Sequence, residues 1–412
     1  MIDIKKFTLE NGLRIIVNPD KTTPLVAMNI LYDVGSKDEE PEKTGFAHLF
    51  EHLMFGGSQN IPSYDEPLQL AGGENNAFTT TDITNYYLVV PKENIETGFW
   101  LESDRMLSLA FSEKNLEVQR NVVMEEFKQR YLNQPYGDVW LLLRPMVYKV
   151  HPYRWPTIGK KMEHIQNASL NDVKDFFFKF YAPNNAILSV SGNVEPDELL
   201  RLSKKWFLPI EHRPTPRRNL PEEPRQTEAR SLTVERDVPF DAIYKAYHTC
   251  KRNDPDFYAT DLISDILANG NSSRLYQSLI KEQKLFSEID AYITADIDNG
   301  LFYIKGKIMK GVSIEKAETA IEQELEKITG DLVSDYELGK VKNRVESSQV
   351  LSQINALNKA MLLAYQELLG GAEKINEEID HYRAVQKEDI RTVARKIFQL
   401  SNCSTLYYLS KK

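Results

Sequence analysis

The sequence HIQNASLNDVKDFFFKFYAPNN occupies residues 164–185, and HYRAVQKEDIRTVARKIFQLSN occupies residues 381–402. A constant offset of 217 aligns the two stretches and pairs, for example, Asp172 with Asp389. Each stretch has a polar helix start, an amphipathic helix and a polar turn, and is followed by a strand, AILSVSG or STLYYL. Duplication of an α/β unit is the simplest explanation for two such copies.

Between the two copies lies HRPTPRRNLPEEPRQTEAR at residues 212–230. It has four prolines and many charges, and so differs in composition from the rest of the chain. Prolines forbid a long helix, so this stretch predicts a linker. We therefore expect an N-terminal repeat at 1–211 and a related C-terminal repeat at 231–412. Both repeats mix strand-like and helix-like runs, which predicts an α+β fold of mostly antiparallel sheets, each covered by helices on one face. The strand-like runs are 13–17, 25–34, 84–90, 186–190 and 301–308, and the helix-like runs are 94–110, 114–132, 255–268 and 336–369.

Composition excludes several classes of protein. The chain has 412 residues, a formal charge of −9 and 42% hydrophobic residues, as in ordinary globular proteins. Acidic residues outnumber basic ones, and the sequence shows no basic stripe of the kind that nucleic-acid binders carry. Two cysteines are too few for a disulfide framework. No signal-peptide core or membrane-spanning apolar run is visible, so we expect no membrane contact. The expected location is cytoplasmic, or periplasmic if a signal was trimmed.

Residues 45–57 read GFAHLFEHLMFGG and contain His48, Glu51 and His52 in the order H-x-x-E-H. Two histidines four residues apart on a helix share one face, so both imidazoles can reach one ion. Glu51 lies near that face, where its carboxylate can reach a water molecule on the metal. The two glycines that close the stretch predict the helix end. The pattern is the inverted zincin signature and predicts a Zn²⁺ site.

A catalytic zinc ion needs a third protein ligand and an open position. The segment KNLEVQRNVVMEEFKQR at 114–130 has the pattern of an amphipathic helix with two adjacent acids, Glu125 and Glu126. Acid pairs on such helices are more often solvated than metal-bound. The residue pattern alone therefore leaves the third ligand open.

Nearly the whole chain resembles the pitrilysin/insulinase family of zinc peptidases, and in particular its members that work as dimers, such as the mitochondrial processing peptidase. The length resembles that of members with one pair of repeats. The stretches that carry the resemblance, besides GFAHLFEHLMFGG, are TLENGLRIIV at 8–17, GGENNAFTTTDITNYYLVV at 72–90, QRNVVMEEFKQR at 119–130, HPYRWPTIGKKMEHI at 151–165 and YAPNNAILSVSGNV at 181–194.

The resemblance implies a role for each residue of the motif. His48 and His52 match the two imidazole ligands, and Glu51 matches the general base that takes a proton from the attacking water and passes it to the leaving amine. The family pattern R-N-x-V-x-x-E places the third ligand at Glu126, with Glu125 as the next choice.

Two further features of the family have counterparts in this chain. Gln119 stands where members often have a glutamate close to the metal ligands, so an uncharged amide replaces a carboxylate there. The segment 72–79 resembles the strand whose edge binds the substrate backbone, which implies that Asn76, Ala77 and Phe78 contact an extended peptide. An ordinary core strand after a glycine turn is the alternative for this segment.

The second repeat lacks the corresponding chemistry. Active members place an arginine and a tyrosine there to hold the substrate carbonyl, and the matching positions are Lys281 and Ser287. The counterpart of the zinc helix carries Asp261, Ser264 and Asp265, so we expect no second zinc site.

These implications predict a zinc metalloendopeptidase that hydrolyses short or unfolded peptides. The expected form is the zinc-carrying subunit of a heterodimer, with a homologous partner that supplies the arginine and tyrosine. One alternative is a self-sufficient homodimer in which Arg274 or Tyr292 holds the substrate. Another is a non-catalytic scaffold subunit of the same family.

Overall fold

The structure is a computed structural model, and it describes residues 1–215 and 218–411. The strands are β1 (Lys5–Thr8), β2 (Arg14–Pro19), β3 (Leu25–Tyr32), β4 (Glu74–Thr79), β5 (Thr84–Pro91), β6 (Ala186–Gly192), β7 (Arg230–Arg236), β8 (Ala242–His248), β9 (Phe286–Ile293), β10 (Leu301–Ile308) and β11 (Cys403–Ser410). The helices are α1 (Phe46–Leu53), α2 (Asp65–Leu70), α3 (Ile95–Leu107), α4 (Glu113–Phe127), α5 (Val139–Val147), α6 (Met162–Gln166), α7 (Leu170–Phe180), α8 (Pro196–Trp206), α9 (Phe257–Ala268), α10 (Ile314–Gly330), α11 (Asp335–Ser352), α12 (Ala356–Leu368), α13 (Glu378–Ala384) and α14 (Lys387–Ile397).

The two sheets share one strand order. The first runs β1-β2-β6-β3-β5-β4 and the second runs β7-β11-β8-β10-β9. Each contains one parallel pair, with Arg14 opposite Ile187 in the first and Leu232 opposite Leu406 in the second, and the remaining pairs are antiparallel. Apart from β1, the orders match strand by strand, with β2, β6, β3, β5 and β4 corresponding to β7, β11, β8, β10 and β9. The expected α+β class with mostly antiparallel sheets is confirmed.

The sequence offset of 217 persists in three dimensions. It carries α7 onto α14 and the start of β6 onto the start of β11. At the start of each helix, an acid accepts the backbone N–H of the cap residue three positions earlier; the pairs are Asp172 with Ser169 and Asp389 with Gln386. In α7 the Ser169 hydroxyl also accepts the Asp172 N–H, which completes a capping box. The two stretches therefore fold as equivalent helix–turn–strand units.

The chain forms two compact units that differ from the expected contiguous ranges. Unit 1 comprises Met1–Gln129, Trp155–Leu220 and Gln349–Glu377, and unit 2 comprises Arg130–Arg154, Pro221–Ser348 and Glu378–Lys412. The expected boundaries were 1–211, 212–230 and 231–412. Each unit thus takes one helical segment from the opposite half of the sequence.

Helix α12 is the segment that unit 1 takes from the second half. Its fully buried Leu363 packs with Ile16, Leu31 and Ile187 of the sheet, and each such side chain contributes about 1.5–3 kcal/mol by leaving water. The expectation that helices cover one sheet face was wrong for unit 1, because nearly every residue of β3 and β6 is buried. Helices α1 and α12 both contact the sheet, and burial at successive residues of a strand means that both faces are covered.

Helix α5 is the corresponding segment of unit 2. Val139, Leu143 and Val147 pack in one buried cluster with Tyr244 and Leu406 of the second sheet. This helix was not among the helical runs expected from the sequence.

The proline-rich stretch is tied down at both ends. Arg213 donates to the Tyr181 carbonyl at 3.0 Å, and Arg218 forms an ion pair with Asp33 at 2.6 Å, all within unit 1. In unit 2, the Glu223 carboxylate accepts backbone N–H groups of residues 149–151. The described part of this stretch is therefore an anchored, extended connection.

Two other expectations differ in detail. The helical run at 336–369 divides into α11 and α12, because the Asn355 side chain accepts the N–H groups of Leu357 and Asn358 and caps a new helix. Strands β7, β8 and β9 were not anticipated. Across the described residues, no helix combines the length and the apolar character that crossing a membrane requires.

Candidate metal centre

The helix that carries the motif starts at a buried carboxylate. Glu39 accepts the backbone N–H groups of Gly45 and Ala47, both at 2.9 Å, and so satisfies the donors that the first turn of α1 leaves without partners. Gly45 has φ +90°, and a side chain there would approach the Ile158 carbonyl at 2.7 Å, so only glycine fits. The entry of α1 is therefore closely defined.

The helix ends at Leu53, three residues before the expected glycine pair. The glycine that takes the left-handed conformation is Gly57, with φ +98°, after one further turn of chain. Leu49, Phe50 and Leu53 are buried, and Phe50 lies against Tyr181 with ring centroids 5.1 Å apart. This packing leaves the opposite side of α1 partly accessible.

His48, His52 and Glu126 are brought together on that accessible side. The Glu126 Oε2 atom lies 3.6 Å from His48 Nε2 and 3.4 Å from His52 Nε2. One ligand atom from each residue fits in a group with no separation above 4.8 Å. A tetrahedral ion with bonds of about 2.0–2.2 Å separates its ligand atoms by roughly 3.3–3.6 Å. The donor types and spacing therefore fit a zinc ion.

Helix α4 supplies the carboxylate, and two contacts set its position. Near its start, Asn115 Nδ2 donates to the Gly56 carbonyl at 2.7 Å, which joins α4 to the turn after α1. Further along, Arg120 Nη1 donates to the Ala168 carbonyl at 2.9 Å. Glu126 follows on the side of α4 that contacts α1.

Glu125, the second choice for the ligand, lies elsewhere. Its carboxylate is 61% exposed and forms an ion pair with Lys128 at 2.6 Å. Gln119 lies two turns before Glu126 and is partly exposed, and no hydrogen bond of its side chain is seen to the described residues. Its role beside the ligands stays a prediction.

Glu51 lies beside the ligand cluster and has a defined partner. Its Oε2 atom accepts a hydrogen bond from the Thr79 hydroxyl at 2.6 Å. Thr79 is the last residue of β4, which forms the open edge of the first sheet. Sequence reasoning missed Thr79, although its alternation with Ala77 on one strand was available as a signal.

The three expected substrate residues lie on β4 but do not share a face. Successive strand residues point to opposite faces, so Ala77 shares the face of Thr79 and Glu51, while Asn76 and Phe78 point the other way. Asn76 Oδ1 accepts the backbone N–H of Ala77 at 2.8 Å. The side chains of Asn76 and Phe78 therefore point away from the zinc face, and the contact of all three residues with a peptide stays a prediction.

In unit 2, the matching positions on α9 have other partners. Asp261 accepts a hydrogen bond from the Tyr382 hydroxyl at 2.6 Å, and Asp265 accepts from Asn269. Burial raises the pKa of Asp265, and the positive charges of Arg344 and Lys340 on α11 partly oppose the shift. Within the described residues, the His48, His52 and Glu126 group is the one set of three with metal-ligand spacing.

The candidate residues for holding the substrate carbonyl have limited freedom. Arg274 donates two hydrogen bonds to the Glu337 carboxylate, at 2.8 and 3.1 Å. Tyr292 packs against Tyr303 with ring centroids 5.0 Å apart, and burial raises its pKa to about 12. Ser287 donates its hydroxyl to the Lys307 carbonyl at 3.3 Å.

Known proteins resemble this chain along its whole length. The zinc protease PqqE of Helicobacter pylori is 29% identical over 409 residues, with 97% of this chain and 91% of that protein covered. An uncharacterized zinc protease of Bacillus subtilis, YmxG, is 27% identical with 96% of each covered. The crystal structure of a protease from Helicobacter pylori superposes with a TM-score of 0.95 at 28% identity, covering 99% of this chain and all of that one.

Two family models match consecutive parts of the chain. Residues 14–141 match the insulinase family, peptidase family M16, and residues 167–345 match the M16 inactive domain. The ligand cluster and Glu51 lie within the first match and outside the second, in agreement with the single metal-ligand set described above. Together with the full-length relatives, these two matches show that the chain belongs to the insulinase (M16) family of peptidases.

Proposed function

We propose that this protein is a zinc-dependent endopeptidase. The observation that carries the proposal is the grouping of His48, His52 and Glu126 at zinc-ligand spacing, with the Glu51 carboxylate beside them. Three protein ligands leave a fourth position open, as catalytic zinc sites require. The names of the full-length relatives, which include zinc proteases, agree with this chemistry.

In this proposal, different residues of the chain hold the metal ion and transfer the proton. A zinc ion held by the three ligands would supply Lewis-acid polarisation of the scissile carbonyl and a lowered pKa for its water. Glu51 takes the proton of the attacking water and delivers it to the leaving amine. Thr79 donates its hydroxyl to one oxygen of Glu51, so the base has a hydrogen-bond partner on β4.

The open edge of β4 provides the substrate site in this proposal. An extended peptide can add to the sheet as a further strand, held by main-chain hydrogen bonds with little demand on its sequence. Because the added strand must be extended, short or unfolded peptides are the expected substrates. Ala77 is the small residue that faces the zinc side next to Thr79.

We further propose that a homologous subunit completes the active site. Lys281 and Ser287 cannot reproduce an arginine fork or a phenol. Arg274, the alternative within this chain, is held by Glu337 through two hydrogen bonds. The heterodimer is therefore favoured over a homodimer in which Arg274 holds the substrate.

The test combines metal analysis with peptide digestion. Purified chain should bind one zinc ion per molecule, and cleavage of a peptide mixture should appear or increase when a homologous subunit is added. The variant Glu51→Gln should retain zinc and lose cleavage. Retained turnover in this variant would contradict the assignment of the base, and strong cleavage by the single chain would contradict the heterodimer.

A further inference from the structure

The face of β4 that points to the metal ligands ends in a hydroxyl group. Thr79 Oγ1 donates to Glu51 Oε2 at 2.6 Å, a short charge-assisted hydrogen bond. Glu51 is only partly buried, and a carboxylate on three rotatable bonds samples several rotamers unless hydrogen-bond partners hold it.

The turn after Thr79 is firmly anchored, so the hydroxyl is a fixed partner. Thr80 pairs with Ile83 through the backbone at 2.8 Å, and the Thr80 hydroxyl accepts the N–H groups of Asp82 and Ile83. The Asp82 carboxylate forms a buried ion pair with Lys37 at 2.7 Å, with both side chains at most 6% exposed. The backbone N–H of Lys37 also donates to the Thr81 carbonyl at 2.9 Å.

We infer that Thr79 is a positioning residue that orients Glu51 for proton transfer, an inference that rests on the proposed peptidase function. Thr79 acts through the Glu51 carboxylate to which it is hydrogen-bonded. Thr79 and Ala77 share one face of β4. We expect a peptide that pairs with this strand to hold the segment that carries the hydroxyl more rigidly. Orientation of the base and docking of the substrate therefore depend on the same strand.

The decisive comparison is Thr79→Val with Thr79→Ser. Valine keeps the branched shape and removes the hydroxyl, while serine keeps the hydroxyl. For Thr79→Val we expect full zinc content and a kcat lower by about 10–100-fold, the usual effect of losing a supporting hydrogen bond at a metal site. KM should change by less than about 3-fold, because the lost interaction acts in the transition state. Thr79→Ser should recover most of the lost kcat.

Crystal structures of the zinc-loaded wild type and Thr79→Val provide a readout that does not need activity. The expected result is a displaced or multiply placed Glu51 carboxylate, with His48, His52 and Glu126 superposing. An unchanged Glu51 would overturn the inference, as would an unchanged kcat or an equal loss of kcat in Thr79→Ser. If the wild type cleaves no peptide, the proposed function fails, and the position of Glu51 in the two structures alone decides the role of Thr79.

Discussion

The carboxylates of Glu125 and Glu126, which are neighbours in the chain, belong to different environments. Glu126 Oε2 lies 3.4 Å from His52 Nε2, while the Glu125 carboxylate extends into solvent and pairs with Lys128. A helix turns by about 100° per residue, so the side chains of Glu125 and Glu126 leave α4 in different directions. The choice between the two acids, open from their sequence pattern, follows from the face of α4 that α1 covers.

This separation offers a matched pair of variants for metal binding. Glu126→Gln should weaken zinc binding by more than about 100-fold, beyond the 10–100-fold that loss of an outer hydrogen bond costs, because a ligand itself is lost. Glu125→Gln removes the same charge from the same helix and should keep its zinc. Zinc content after dialysis against a graded chelator measures both. Equal zinc loss in the two variants would contradict the ligand assignment.

The ion pair between Arg274 and Glu337 predicts a pH-dependent contribution to stability. Hydrogen bonds from Arg274, with further ones from Ser334, lower the pKa of Glu337 from 4.5 to about 2. A carboxylate whose pKa is lower in the folded state stabilises the fold above pH 4.5, and this stabilisation is lost as the pH falls towards 2. Glu337→Gln should therefore reduce the free energy of unfolding by about 1 kcal/mol at neutral pH, since the pair is partly exposed.

Urea denaturation at several pH values tests this prediction. The difference between wild type and Glu337→Gln should be largest near pH 7 and should shrink steadily below pH 4.5. A difference that stays constant over this range would show that the glutamate contributes through packing rather than charge.

The place of α12 in unit 1 predicts a large effect of one leucine. Leu363→Ala should lower the free energy of unfolding by about 2–5 kcal/mol, because it opens a cavity beside Leu31 and Ile187. Leu351→Ala, at a position 65% exposed, should change it by no more than about 0.5 kcal/mol. The two variants are compared by denaturant unfolding. Similar effects would mean that α12 does not cover this sheet.

The equivalent asparagines of the two repeats predict equivalent roles. Asn185 donates to the carbonyls of Phe180 and Asp33, and Asn402 donates to those of Ile397 and His248. Each side chain thus ties the end of a helix to a strand. Asn185→Ala and Asn402→Ala should each cost about 1–3 kcal/mol of unfolding free energy, since each removes two part-buried hydrogen bonds.

Thermal or urea unfolding compares the two substitutions. The change Asn271→Ala, at an exposed position, serves as the control and should fall within about 0.5 kcal/mol of wild type. A cost in one repeat and none in the other would argue against structural equivalence.

The predictions from sequence were good where local pattern decides the structure. The apolar run at 301–308 coincides with β10, and the i, i+4 spacing of His48 and His52 predicted a shared helix face. Strands such as β7 alternate exposed and half-buried residues, so their apolar signal is weak and they were missed. The side-chain directions on β4 follow from simple alternation, and the contact of Asn76, Ala77 and Phe78 with a peptide stays a prediction.

Non-local relationships were the ones that sequence pattern did not reveal. The spacing of apolar residues along α12 does not tell which sheet will bury Leu363, because the helix could pack on any apolar sheet face of the right size. The hydrogen bond from Thr79 to Glu51 joins residues whose distance depends on how β4 meets α1. The family pattern favoured Glu126 over Glu125, and Glu126 is the acid that the structure groups with His48 and His52.

The exchange of α5 and α12 limits how this molecule can be divided. A fragment ending at residue 211 would lack α12 and leave the apolar side chains around Leu31 open to water, and a fragment starting at 231 would lack α5. Neither half is therefore a self-contained domain. If one ancestral copy was duplicated, two copies would have had to trade helices as a domain-swapped dimer before their genes were joined.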